Sequence, residues 1–364
     1  MRGRATKQTD LLTLINVEDR IPSKHPIRRI KAMVDEVLAG MDDCFDEMYK
    51  RLGRASIPPE RLLKAKVLMA LYTVRSDRQF CERLNYDLLF QWFLDMNPSE
   101  SAFHPTVFTK NMDRLLEHQT SDLFFSEVVE LARRHDWVSN EHFSVDGTLI
   151  DAWASMKSFR PKDDDGDDGN GWQDYKGKKR SNETHESRTD PEARLLRKGP
   201  GKEAKLCFAA HAAMENRNGL CVLMDVTASV GVSEPQQALQ QMDELCDRGF
   251  EPRSVGGDSG YHTKDFVKGC RDRGIAPHVA PHSGRKTPGL DGRTRRSRAY
   301  QASQKVRKRV EEIFGWSKTT GAFRKSRYKG FTRTGMSAQF VAATCNLVRM
   351  AKLMEESPPQ YSGA

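Results

Sequence analysis

The chain has 364 residues, enough for one large domain or two ordinary ones with real cores, and is not a small scaffold. Lysine and arginine number 59 against 50 acids, giving a net charge of +9 and a pI near 9.1, so a polyanionic partner such as nucleic acid is the leading inference. Seven scattered cysteines, never spaced C-x-x-C, and the lack of any stretch approaching 18 apolar residues argue against disulfide scaffolds, zinc ribbons and membrane spans.

The amino terminus, MRGRATKQTDLLTL, has no apolar core of a secretion signal, so a cytoplasmic protein with reduced cysteines is expected. Residues 58–138 read as helix after helix, within a helical N-terminal domain assigned to 1–138. PPERLLKAKVLMALYTV places Leu62, Leu63, Val67, Leu71 and Val74 at helical spacing behind prolines suited to a first turn. SDRQFCERLNY starts at a capping Ser76, DLLFQWFLDM follows, and NPSESAFHP interrupts before TVFTKNMDRLLEH. Short helices with tight breaks suit a helix-turn-helix that docks in the major groove, and they suit a simple packed bundle equally well.

At HFSVDGTLIDAW the apolar period shifts toward two, which announces a strand and a second domain, assigned to 139–354. Residues 157–205 are polar and nearly free of aliphatics, so a mobile insertion outside the core is predicted there. Its DDDGDDG run is a poor calcium loop, because counting from Asp163 puts Asp168 where the sharp turn needs glycine. LCFAAHAAMENRNGLCVLMDVTAS predicts a hairpin turning at Asn216 to Gly219. A helix capped by Ser233 and ended by Gly249, a strand SVGGD, a helix capped by Thr263, a strand IAPHVA, a cationic helix and a closing helix MSAQFVAATCNLVRMAKLMEE complete the order. That order implies α/β architecture with a mixed sheet, and 355–364 is expected to be a disordered tail.

The basic character is concentrated. Between Arg285 and Gly330, 15 lysines and arginines face only Asp291, Glu311 and Glu312, a local net charge of +12 that exceeds the whole-chain value. Three acids stand where strands end or a helix meets the sheet: Asp146 before Gly147, Asp258 after Gly256 and Gly257, and either Glu311 or Glu312. Such a trio is what two magnesium ions need, since hard cations take oxygen ligands and can flank an in-line displacement at phosphorus. Asp151 competes with Asp146 for the first role. At about 100° per residue, Glu311 shares a stripe with Arg307 and Lys318 and Glu312 one with Lys305 and Lys308, so periodicity does not choose between the glutamates.

The run Arg307, three residues, Glu311, six residues, Lys318 resembles the signature Tyr-x2-Arg-x3-Glu-x6-Lys of bacterial insertion-sequence DDE transposases, with Gln304 where that family has Tyr. VEEIFGWSKTTGAFRKSRYKG, SVDGT, GGDSGY, TDPEARLLRKGPGKEAKLCFAAHAA and ATCNLVRMAKL are similar to further family segments, most like those of the insertion sequence five family. The resemblance covers most of the chain. It implies a ribonuclease H-like fold and a transposase in which Asp146, Asp258 and Glu311 ligate two Mg²⁺ ions, replaceable by Mn²⁺. It further implies that Arg307 and Lys318, joined by Arg324, Lys325 and Arg327, hold DNA phosphates, and that the N-terminal helices recognise terminal inverted repeats of double-stranded DNA within a homodimeric or larger complex.

Two other functions use the same residues: a nuclease of this fold without strand transfer, and a DNA-binding regulator without catalysis. His211, His278 and His282 lack tight ligand spacing and are read as core or surface histidines, not a zinc site.

Overall fold

The computed structural model describes residues 16–48, 56–162, 180–197, 201, 203–231, 233–282, 290 and 292–356. The DDDGDDG run and residues 357–364 lie outside them. Eight helices come first: α1 (Val17–Arg20), α2 (Pro26–Ala39), α3 (Asp42–Met48), α4 (Pro59–Leu71), α5 (Asp77–Leu84), α6 (Leu88–Phe93), α7 (Pro105–Glu117) and α8 (Thr120–Arg134). Their starts follow local chemistry. Proline opens α2, α4 and α7, where a missing N–H costs nothing, and Ser76 accepts from the Gln79 N–H to cap α5. Leu62, Leu63, Val67 and Leu68 of α4 are fully buried, each stabilising the fold by roughly 1.5–3 kcal/mol.

The sheet begins with β1 (His142–Asp151) and continues with β5 (Ala204–Glu215), β6 (Cys221–Ala228), β7 (Ser254–Gly257) and β8 (Ala276–Val279), where β2 (Phe159–Pro161), β3 (His185–Ser187) and β4 (Arg194–Arg197) intervene in sequence. Its spatial order is β6-β5-β1-β7-β8, antiparallel through β6, β5 and β1 and parallel from β1 to β8. The parallel half is built by crossover through α9 (Glu234–Asp247) and α10 (Lys264–Asp272). The sheet is mixed, as the order of elements predicts. The β5–β6 hairpin turns at the predicted place, with Gly219 at φ +78°. Buried Glu215 stabilises that turn by accepting from the backbone N–H groups of Ser139, Arg217, Asn218 and Leu220 at 2.8–3.1 Å.

After the sheet come α11 (Gly292–Arg296), α12 (Arg298–Val306), α13 (Arg309–Lys318) and α14 (Phe331–Glu356). The predicted cationic helix is therefore two, yet Arg307 and Lys308 keep right-handed helical dihedrals, so side chains stay near the register of one helix. Glu355 and Glu356, assigned to a disordered tail, complete the last turn of α14. This long helix packs on α2, α4, α8, β6 and α13, and one hydrophobic cluster runs from Ile21 to Ala351 through helices and sheet together.

The segment 157–205 departs from its expectation. Its described flanks form the β2–β3 pair, and β4 extends the main sheet by pairing with the start of β5. Composition hid this because the few apolar residues are spent efficiently: Phe159 and Ala193 join Ala152, Ala154, Leu206 and Phe208 in a small separate core. Polar residues serve as well. Asp190 accepts from the Gly330 N–H at 3.2 Å and Glu192 from the Phe331 N–H at 2.8 Å, tying this segment to the start of α14. All seven cysteines are free, four of them buried.

Candidate active site

Asp146 lies on the central strand β1, half-buried, with Oδ1 accepting from the Gly147 N–H at 2.9 Å. Its carboxyl is pushed up to about 6, first by burial and then by the charges of Asp258, Glu234 and Glu311, against the opposing Gly147 hydrogen bond. Those neighbours arrive on three different elements.

Asp258 directly follows β7 in the GGDSGY turn, where each glycine has a task. A Cβ on Gly256 would stand 3.0 Å from the Ser144 and Ser303 hydroxyls, so its absence lets α12 lie close over the strand. Gly257 leaves room for the buried Tyr261 ring, and the Gly260 N–H donates to Asp258 Oδ1 at 2.7 Å, fixing the carboxylate outward. Tyr261 lies beneath the acids: burial and the charges of Glu234, Asp146 and Asp258 push its hydroxyl well above the ordinary phenol range.

Both candidate glutamates are exposed in the first turn of α13, and they face different surroundings. Glu311 acts on Asp146. Glu312 raises Cys345 of α14, after burial, and lines a recess with Lys352 and Arg349. Asp151 stays apart from the acids, its Oδ2 3.5 Å from Lys205 Nζ and its backbone paired with Arg324 and Ser326.

Glu234 carries no signal in the sequence reading. It is the first residue of α9, behind the Ser233–Gln236 capping box, and its carboxylate fits only because position 147 is glycine: a Cβ there would be 2.8 Å from Glu234 Oε1.

Of the five cations assigned to DNA, two adjoin the acids. Lys318 Nζ donates to Thr148 Oγ1 at 2.5 Å, two residues along β1 from Asp146 on the same face of the strand. Arg307 packs near Gly256, and its Nε donates to Gln304 Oε1 at 3.0 Å while Gln304 donates to the His278 carbonyl of β8. Gln304 thus holds Arg307 against the sheet. Arg324 shares a recess with Lys318, whereas Lys325 and Arg327 turn toward Trp153 and Arg75. His211 and His278 are core residues whose imidazoles burial pushes down to about 4, and His282 is exposed.

Among the described residues no three His, Cys, Asp or Glu side chains stand close enough to chelate a metal directly. The donor set nevertheless suits a hard divalent cation that keeps part of its water shell, since it consists of carboxylates whose mutual repulsion a cation relieves.

The "Transposase domain (DUF772)" family model matches residues 15–114, and the "Transposase DDE domain" model matches residues 141–347. No curated protein sequence matches the chain. Among solved structures, the chain is similar to the piggyBac transposase synaptic complex with hairpin DNA at 10% identity and a TM-score of 0.43, over 93% of this chain and 77% of that one. It is also similar to the Mos1 transposase paired-end complex with left transposon end, at 9% identity and a TM-score of 0.21, over 76% and 83%. A pre-cleavage Mos1 transpososome aligns at 10% identity and a TM-score of 0.20, over 83% and 82%. The DDE model spans more than half of the chain, and the protein belongs to the transposase DDE family as an insertion-sequence-type DNA transposase.

Proposed function

We propose that Asp146, Asp258 and Glu311 are the catalytic acids, that they hold two Mg²⁺ ions, and that the transposase cuts at the ends of its element and joins them to target DNA. The observation that carries this is the convergence of the Asp258 and Glu311 charges on Asp146 from separate elements, while the adjacent Glu312 acts elsewhere. Transposases with this domain generally use divalent metal ions. When bound, the ions activate the attacking oxygen and stabilise the leaving one.

The chain's own residues do the rest. Asp146 and Asp258, fixed by the Gly147 and Gly260 N–H groups, present carboxylate oxygens from a rigid sheet, and Glu311 closes the rim from α13. Arg307 and Lys318, each braced by a side-chain hydrogen bond, hold the phosphates flanking the reacting one. Water attacks the end phosphodiester and releases a 3′-hydroxyl, which then attacks a target phosphodiester with loss of that strand's 3′-oxygen. Both steps are in-line substitutions at phosphorus, so one site serves for each.

The helices of residues 1–138 act as the domain that recognises terminal inverted repeats, residues 139–354 form the catalytic domain, and two or more copies pair the ends. Action on chromosomal DNA places the protein at the nucleoid in the cytoplasm. The decisive experiment is a gel assay on labelled DNA bearing the element's own ends, with Mg²⁺ or EDTA, comparing wild type with Glu311→Gln and Glu312→Gln. Loss of Mg²⁺-dependent cutting with Glu311→Gln alone supports the reading. Loss with Glu312→Gln alone shifts the third acid by one residue and overturns it.

A further inference from the structure

Glu312 borders a recess of about 390 Å³ on the side of α13 turned toward α14 and away from Asp146. The floor is apolar: Ile313 is buried, and Val348 and the Trp316 ring are half-buried beside it. Three cations stand at the rim, Arg309 from α13 and Arg349 and Lys352 from α14, and Glu312 is the one acid among the lining residues. Two of these cations are fastened in place without being neutralised. Arg309 Nη1 donates to the Arg217 carbonyl at 3.3 Å and Arg349 Nε to the Asn218 carbonyl at 3.0 Å, successive carbonyls of the β5–β6 turn. That turn is held in turn by buried Glu215, which accepts from its Arg217, Asn218 and Leu220 N–H groups. Among the described residues none of the three cations is ion-paired, and neither is Glu312.

We propose that this recess binds a free ribonucleoside phosphate, with its base on Trp316 over the apolar floor, its phosphates among Arg309, Arg349 and Lys352, and its ribose hydroxyls on Glu312. Three unneutralised cations around one hollow call for more than one negative charge, and guanidinium forks match phosphate oxygens. A half-buried indole beside them offers its face to a heterocycle. A simple anion would gain nothing from that floor, and the Glu312 carboxylate would repel it. Glu312 is accounted for by a ligand that also donates hydrogen bonds, and acidic side chains accept from ribose hydroxyls in nucleotide sites. The 2′-hydroxyl then separates ribonucleotides from the deoxynucleotides of DNA. Ligand pockets enclose about 300–1,000 Å³, a range that includes this recess. Because its walls come from α13, α14 and the β5–β6 turn, an occupant would tie the three together and stabilise the folded chain.

The test uses the full chain in EDTA, which keeps metal-bound nucleotide from the acids around Asp146. ATP, dATP, tripolyphosphate and a single-stranded oligodeoxynucleotide are compared by tryptophan emission and by thermal melting. ATP should quench the emission and raise the Tm of wild type, and Trp316→Leu should remove the quench. Arg349→Gln should weaken ATP about tenfold, and Arg349→Lys should recover part of the loss. Wild type should bind dATP about tenfold more weakly than ATP, and Glu312→Gln should bind the two alike, a change in ratio that damage to the fold would not produce. Melts without ligand check that each variant is folded. Equal affinity of wild type for ATP, dATP and tripolyphosphate would reduce the recess to an anion-attracting surface and overturn the proposal. Tighter binding of the oligodeoxynucleotide than of ATP, lost in the same variants, would make it a DNA contact and overturn the proposal too, as would the absence of any quench that depends on Trp316.

Discussion

Two charged clusters of this molecule follow opposite rules. In the N-terminal helices signs alternate: Lys31 Nζ lies 2.7 Å from both Asp35 and Asp95, and buried Lys64 bridges the same two acids. Asp95 is held below the usual carboxylate range, since Lys31 and Lys64 outweigh the burial that would raise it. On the sheet Asp146, Asp258, Glu234 and Glu311 share one sign, and Asp146 is driven the other way. Alternating charges close on themselves and serve the fold. Crowded like charges cost stability, and they persist where something outside the chain is to be bound.

The largest effect should come from relieving the acidic cluster. Asp146→Asn should lower Mg²⁺-dependent cleavage of end DNA by about 10³-fold or more, the scale on which losing one member of a catalytic unit acts. Binding of the same DNA in EDTA should be unchanged in a mobility-shift assay. Cleavage that survives would remove Asp146 from the catalytic set and the functional side of the comparison with it.

The matching cut in the alternating cluster is Lys64→Met. It leaves Asp35 and Asp95 facing each other without the buried ammonium and should cost about 2 kcal/mol in urea unfolding, less than a fully buried pair because the two acids are 41% and 58% exposed. Cleavage per folded molecule should hold. If cleavage falls instead while stability stays, the division between structural and functional charge is misplaced.

Much of this was legible in the sequence because it is local. The Asn-Arg-Asn-Gly turn, the serine and threonine caps and the glycines around Asp146 and Asp258 act within a few residues of themselves. The choice between Glu311 and Glu312 was not legible from periodicity, since both acids sit equally far from the apolar arc of the helix. What lies across from each distinguishes them, β1 for one and α14 for the other. β4 was hidden because polar composition cannot reveal an edge strand completed by the distant β5. Glu234 was hidden for a similar reason, its partner being a missing side chain at Gly147 on another element.

Crowding at Asp146 also sets a pH dependence. Its folded-state value, about 6, is raised above that of the unfolded chain, so its contribution to stability is full below about pH 4 and is lost as pH rises through 6. Urea melts without metal should show wild type losing about 1–2 kcal/mol relative to Asp146→Asn between pH 4 and 7, a range discounted for partial solvent exposure. Added Mg²⁺ should stabilise wild type at pH 7 and have little effect at pH 4.5. A pH-independent difference between the two proteins would mean that the acids do not crowd.

The finest test asks whether Glu234 belongs to that crowd. Glu234→Gln removes one of the three charges acting on Asp146 and should move the midpoint of the same pH curve down by a few tenths of a unit. Gly147→Ala should shift it in the same direction for a different reason, because its Cβ would displace the Glu234 carboxylate from 2.8 Å. The far end of a flexible side chain yields easily, so the cost in stability should stay below about 1 kcal/mol. Since both changes act through one carboxylate, the double variant should shift no further than Glu234→Gln alone. Additive shifts would mean that Gly147→Ala acts on Asp146 itself and not through Glu234, whereas no shift with Glu234→Gln would leave Glu234 a bystander to the acids.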